Sequence, residues 1–93
     1  MNNTVEKQGI EQQVREFIAA SLLYSTDGFQ YADDASLLRE GIIDSLGVLE
    51  LVAFVQTRFA LKVEQQEVTP DNFDSVAKLA AYVRQKQAAL NVS

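Results

Sequence analysis

Ser45-Leu46-Gly47-Val48-Leu49-Glu50-Leu51-Val52-Ala53-Phe54-Val55-Gln56-Thr57-Arg58-Phe59 is apolar nearly all the way round, and its length is that of a helix rather than a strand. Val48, Leu51, Val52, Val55 and Phe59 share one face; Leu46, Leu49 and Ala53 share a second. A small helical domain buries one face of a helix more readily than two. The first face is therefore read as core, with Val52 and Phe59 in it, and Leu49 as at least partly exposed. The second face is a candidate partner surface, unless the preceding loop covers it. Asp44 or Ser45 caps the helix, since either side-chain oxygen can accept a hydrogen bond from a free first-turn N–H.

Working outward, residues 25 to 44 show no clear period, and Ser25-Thr26-Asp27-Gly28 carries turn chemistry. So long a connection must pack back on the helices, and Leu37, Leu38, Ile42 and Ile43 are its expected anchors, with Phe29 and Tyr31 able to do the same. Before it, Ile10, Val14, Phe17, Ile18 and Leu22 recur at steps of three and four, predicting a first helix from Thr4 to about Tyr24. Asn3 or Thr4 caps that helix, with Glu6 completing a capping box, and Gly9 weakens its first turns. After the central helix, Lys62 to Thr69 is polar with Val63 and Val68 as anchors. Pro70 suits the start of a brief helical turn through Asn72. Asp74 or Ser75 then caps a last helix built on Val76, Leu79, Ala80 and Val83, with Tyr82 alongside, fraying after Gln87. The expectation is one all-α domain over residues 1–93, an antiparallel four-helix bundle with one short helix and a long first loop.

Composition narrows the function. The 93 residues include no cysteine, histidine or tryptophan, so disulfides, Cys-based metal sites and imidazole chemistry are excluded. Self-contained catalysis is disfavoured, and neither catalytic residues nor a metal site is expected. The net charge is −5. All of that acidity lies in residues 1 to 44, with three basic and eight acidic side chains; residues 45 to 93 hold five of each. Such a chain repels phosphate backbones, and its basic residues are scattered except for Lys78, Arg84 and Lys86, which disfavours nucleic-acid binding. The start of the chain lacks a secretory pattern and no run reaches the length of a membrane span, so a cytoplasmic location is expected.

Glu40-Gly41-Ile42-Ile43-Asp44-Ser45-Leu46-Gly47-Val48-Leu49-Glu50-Leu51-Val52 is the stretch that bears on chemistry. By position alone Ser45 is a helix cap. Yet Asp44, Ser45 and Leu46, followed by the Glu50-Leu51 pair, strongly resemble the modification site of acyl carrier proteins. Arg58-Phe59, Ser36-Leu37-Leu38 and Phe73-Asp74-Ser75-Val76 fall at suitable spacings around it. The form Gly-Ile-Ile-Asp-Ser-Leu-Gly over 41–47 is most similar to freestanding carriers loaded by AMP-forming ligases, D-alanyl and aminoacyl carriers among them. It differs from the common fatty-acid carriers in the placement of Gly41 and in a second helix where Glu50 is offset by Arg58.

The resemblance implies that a separate transferase, using coenzyme A and magnesium, attaches 4'-phosphopantetheine to the Ser45 hydroxyl. The arm's thiol then carries an acyl or aminoacyl group as a thioester to partner enzymes of a biosynthetic pathway. Partners implied are the phosphopantetheinyl transferase and an AMP-forming acyl or aminoacyl ligase or synthase enzymes, with the chain a monomer and no enzyme itself. Asp44 and Glu50 become transferase and docking contacts, and Leu46, Leu49 and Ala53 the apolar part of that surface. The alternative is a small helical adaptor that binds proteins through the same face and is never modified. A helix amino terminus favours a phosphodiester on physical grounds as well, through its unpaired N–H groups and partial positive charge.

Overall fold

Val14 and Ile18 are fully buried and Ala19 nearly so, which places the predicted stripe of the first helix against the core. The computed structural model describes residues 9–92. Helix α1 spans Ile10–Phe17, with Gly9 at its N-cap in an extended conformation, and continues as a π-helical turn, Ile18–Leu22. The proposed caps Asn3 and Thr4, with Glu6, lie outside the described residues. The π turn departs from the uniform helix expected to Tyr24. Widening shifts the helix phase by about one residue, and both Leu22 and Leu23 thereby pack against the core.

The connection to the next helix is irregular, as expected, and is fastened at three points. Leu37, Ile42 and Ile43 are buried. The Leu37 N–H donates to the Asp74 carbonyl and the Ala77 N–H to the Asp33 carbonyl. The Asp74 carboxylate accepts from the Ser36 hydroxyl and from the Leu38 N–H. Leu38 itself is a correction to the sequence reading: it is 40% exposed. With the N–H groups of two successive residues held by Asp74, only one of the two leucines turns inward. Tyr31 is likewise exposed and meets the edge of Phe29, which is the one of that pair to pack on the core.

Helix α2 spans Ser45–Arg58 and ends on Phe59. Its buried line is Gly47, Leu51 and Val55. Val52 and Phe59, expected in the core, are half-buried at its edge. The reason is Phe54, which stacks on Phe17 at 4.3 Å between ring centroids and meets Phe59 edge-on at 5.8 Å. This aromatic contact rotates α2 toward α1. Phe17 meets Phe54 and Gln13 accepts from the Arg58 side chain, so sequence rises along one helix as it falls along the other: the two run antiparallel.

A 3-10 turn, Gln65–Glu67, closed by a Glu64/Glu67 capping box, precedes the short helix α3, Pro70–Phe73, with Pro70 at its first position. Helix α4 spans Val76–Val92. Ser75 accepts the Lys78 N–H and is the cap; Asp74, the other candidate, is occupied by the loop. The helix runs past the fraying point predicted at Gln87, in keeping with the high helix propensity of Gln87, Ala88, Ala89 and Leu90. Val76, Leu79, Ala80, Tyr82 and Val83 are buried, and α4 packs against α1 and α3. The described residues thus form an all-helical bundle of four helices, one short, with no strand among them.

Polar contacts close the outside. Arg84 forms two 2.7 Å bonds to the Glu11 carboxylate, which hold that carboxyl down to about 2. Glu67 accepts from the Glu64 N–H, from Lys86 and from the Tyr82 hydroxyl, and these bonds lower its pKa in that order of bond donors. Burial, then the bond to Glu67, raises that of Tyr82. Arg84 and Lys86, two of the three basic residues clustered near the end, are therefore committed to ion pairs. No described helix is long and apolar enough to cross a membrane.

Candidate functional site

Gly41, at φ +71°, turns the chain in a conformation that side-chain-bearing residues rarely adopt. The N–H groups of Ile42 and Ile43 then both donate to the Leu37 carbonyl, and their side chains are buried beneath the turn. Asp44 follows in an extended conformation, and its Oδ1 accepts the Gly47 N–H at 2.9 Å. Asp44 is thus the helix cap, which decides between the two candidates. Ser45, released from that role, stands exposed at the first position of α2, and its hydroxyl has no hydrogen-bond partner among the described residues.

Gly47 makes this arrangement possible. A Cβ there would stand 2.9 Å from the Ile43 Cβ, closer than such atoms approach. The start of α2 therefore rests directly on the buried Ile43, which supports the turn carrying Ser45 from below.

Leu46 is 70% and Leu49 62% exposed, and Ala53 is exposed on the same side. The face singled out from the sequence is uncovered by the long loop. Two hollows border Ser45. One, of about 740 Å³, lies toward α1 and includes Ser21, Tyr24, Gly41, Asp44, Leu46 and Glu50. The other, of about 290 Å³, lies between α2 and α3 and is walled by Val48, Leu49, Val68, Pro70 and Phe73. Leu38 borders both. Of the predicted site residues, Asp44, Ser45, Leu46 and Glu50 share the first hollow, Ser45 and Leu49 border the second, and Ala53 lies in a further depression with Glu50, Phe17 and Phe54. Asp33, an acidic residue of the first half, pairs with Arg15 at 3.5 Å and lines neither hollow.

Sequence reasoning did not find Tyr24, Val68 or Phe73 as neighbours of Ser45, and it read Leu38 as core. Tyr24 follows helix α1 and the other two lie in and before α3, so no local pattern links them to Asp44-Ser45.

An exposed serine at a helix start, flanked by an unburied leucine face in a small four-helix bundle, suits a carrier domain better than an enclosed active site. Comparison with known proteins agrees. The D-alanyl carrier protein of Abiotrophia defectiva is 35% identical over 57 residues, 61% of this chain and 72% of that protein. The D-alanyl carrier protein of Streptococcus pyogenes serotype M1 is 34% identical over 56 residues, 60% and 71% respectively. An acyl carrier protein of Streptomyces coelicolor is 29% identical over 89 residues, 96% of this chain and 94% of that one. A chain of a crystal structure described as that of an FAD-dependent dehydrogenase superposes with a TM-score of 0.60 at 33% identity, over 74% of this chain and 96% of the other. No family model matches the sequence. The chain belongs to the acyl carrier protein family, with D-alanyl carrier proteins among its relatives. It is a carrier and not an enzyme.

Proposed function

We propose that Ser45 is the attachment point of 4'-phosphopantetheine and that the protein carries an acyl or aminoacyl group on it. The observation that carries this reading is the division of labour at the start of α2. Asp44 caps the helix, so the adjacent serine hydroxyl is left exposed and unbonded. The residues present fit the group. The first N–H groups of a helix lack intrahelical partners and favour a phosphodiester beside them, and Ser45 stands where they are. When bound, the group supplies a thiol on a flexible arm, on which cargo is held as a thioester. This chain's own part is to hold Ser45 outward, through Gly47 resting on Ile43, and to offer Leu46 and Leu49 to the transferase and to loading enzymes.

Residues 1–93 act in this reading as one carrier domain, working in the cytoplasm as a monomer. Transfer from coenzyme A is the work of a phosphopantetheinyl transferase with magnesium. Loading falls to an AMP-forming acyl or aminoacyl ligase, a class favoured by the D-alanyl relatives and by an α2 in which Glu50 is offset by Arg58. The likeness to a chain from a flavin-dependent dehydrogenase structure adds oxidation of carried cargo to the partner reactions worth assaying. Intact-mass measurement after incubation with coenzyme A, magnesium and a broad-specificity transferase tests the assignment. One phosphopantetheinyl addition is expected, and none on Ser45→Ala. Addition to that variant, or at another serine of the parent, would overturn it.

A further inference from the structure

Six large apolar residues are exposed among the described residues, and three of them, Tyr24, Leu38 and Leu46, line the hollow that runs from Ser45 toward α1. The same hollow holds Asp44 and Glu50, and no lysine or arginine lines it. Both carboxylate residues are exposed, and Asp44 spends Oδ1 on the helix cap. Tyr24 is the most exposed of the three apolar residues, at 83%. The chain on either side of it is held. The Leu23 N–H donates to the Ile18 carbonyl at 2.9 Å, the Ser25 N–H donates to the Ala19 carbonyl at 2.8 Å, and Leu22 and Leu23 pack against the core. Between them Tyr24 takes φ +52°, the left-handed position after a helix that glycine usually fills. At that exposure its ring buries little area against the fold, and its face is open to a molecule arriving over Ser45.

We propose that this hollow receives an arginine of the phosphopantetheinyl transferase, whose guanidinium stacks on the Tyr24 ring and faces the Asp44 and Glu50 carboxylates. The proposal rests on the reading of Ser45 as the attachment point, and it extends the transferase contact from Leu46 and Leu49 across to the end of α1. The chemistry of transfer selects this occupant. Transfer forms a bond from the Ser45 Oγ to the phosphorus that bears the pantetheine, breaks the diphosphate of coenzyme A and releases adenosine bisphosphate, with the hydroxyl proton going to a base of the transferase. Diphosphate and leaving group are anionic, so such an enzyme is cationic where the serine enters. A hollow beside that serine with two carboxylates and no basic residue is complementary to it. Arginine suits the hollow better than lysine because its planar, weakly hydrated head stacks on an aromatic face and binds carboxylates at the same time.

The test is the steady-state rate at which a broad-specificity transferase modifies the full chain from coenzyme A, read by intact mass. Tyr24→Leu keeps an apolar side chain but removes the ring, and should raise KM for the carrier about three- to tenfold with kcat little changed, the range that a cation–aromatic contact corresponds to. Tyr24→Phe should match the parent. Glu50→Gln should raise KM as well and flatten its dependence on salt. Tyr31→Leu, at an exposed tyrosine that lines neither hollow, should leave KM at the parent value. Urea midpoints verify the fold of each variant, and if Tyr24→Leu lowers the midpoint, Tyr24→Gly, which relieves the positive φ, takes its place. An unchanged KM on loss of the ring would overturn the proposal, as would an equal rise in Tyr24→Phe. A defect confined to the later loading by a ligase would give the ring to that enzyme and overturn it too. Failure of mass addition to the parent would overturn the Ser45 reading itself, and is seen before any variant is compared.

Discussion

Helices α2 and α4 are both long and both carry apolar residues on more than one side, yet they spend them differently. Helix α4 buries Val76, Leu79, Ala80, Tyr82 and Val83 and turns Lys78, Arg84 and Gln85 outward. Helix α2 buries Leu51 and Val55 but turns Leu46 and Leu49 to solvent. The folded state gains from every large apolar side chain of α4 up to Val83, while Leu90 in its last turns is 60% exposed, and from only part of those at the start of α2. Leucines left exposed are available for contact with other molecules, and on α2 they flank Ser45, whose hydroxyl has no partner among the described residues. The contrast separates side chains that pack in the core from those left at the surface beside Ser45.

The sharpest way to break this comparison is to truncate one leucine of each kind on α2. Leu51→Ala removes a fully buried side chain and should cost about 2 to 5 kcal/mol. Leu49→Ala, at 62% exposure, should cost well under about 1 kcal/mol by the area it buries, while slowing modification or loading. Urea denaturation of the two variants checks this. Equal losses would show that α2 has no surplus face.

A smaller effect is expected at Gly47→Ala. The added methyl meets the Ile43 Cβ at 2.9 Å, and overpacking of this kind typically costs about 1 to 3 kcal/mol. The displaced turn should also lower the rate of phosphopantetheinylation at Ser45. Ser45→Ala, by contrast, should leave denaturation midpoints nearly unchanged because Asp44 is the cap. A Gly47→Ala variant that is modified at the parent rate with the parent stability would show that Ser45 is not fixed through Ile43.

The smallest expected effect lies at the surface. The Glu11 carboxyl is held down to about 2, chiefly by its hydrogen bonds from Arg84. A carboxyl whose folded pKa is depressed contributes stability above its ordinary pKa of 4.5 and loses it as pH falls toward its folded value. The contribution should therefore fade between pH about 4.5 and about 2. Since the Arg84 side chain is 52% exposed, solvent screening keeps it below about 1 kcal/mol. Denaturation of the parent and of Glu11→Gln at pH 6 and pH 3 should show the gap between them narrowing in acid. A gap that widens would contradict the ion pair.

Much of this was legible in the sequence because it was periodic or local. The stripe of Val14 and Ile18, the buried set of α4 and the exposure of Leu46 and Leu49 follow from helical spacing. The Asp44-Ser45-Leu46 stretch marked the candidate site, though only the Gly47 N–H showed which oxygen caps. Other features depend on distant partners. Val52 and Phe59 were displaced from the core by the Phe17–Phe54 stack, which joins two helices and leaves no trace in either. Leu38 faces outward because Asp74, far along the chain, takes its N–H. Tyr24 reaches the border of the Ser45 cleft through the course of the irregular connection, and the need for glycine at position 47 is visible only as a distance to Ile43.

The bonds to Asp74 also set how the molecule opens. Leu37 and Leu38 donate their amide protons to one residue at the entrance to α4, and the Ala77 amide proton returns to Asp33 in the connection. Breaking the junction releases all three at once, so their hydrogen exchange should share a single opening free energy and rise together when Asp74 is replaced by alanine. The stretch leading to the serine and the start of the last helix are thereby expected to open as one cooperative unit, and since Leu38 lines both hollows beside Ser45, loosening either end should alter both.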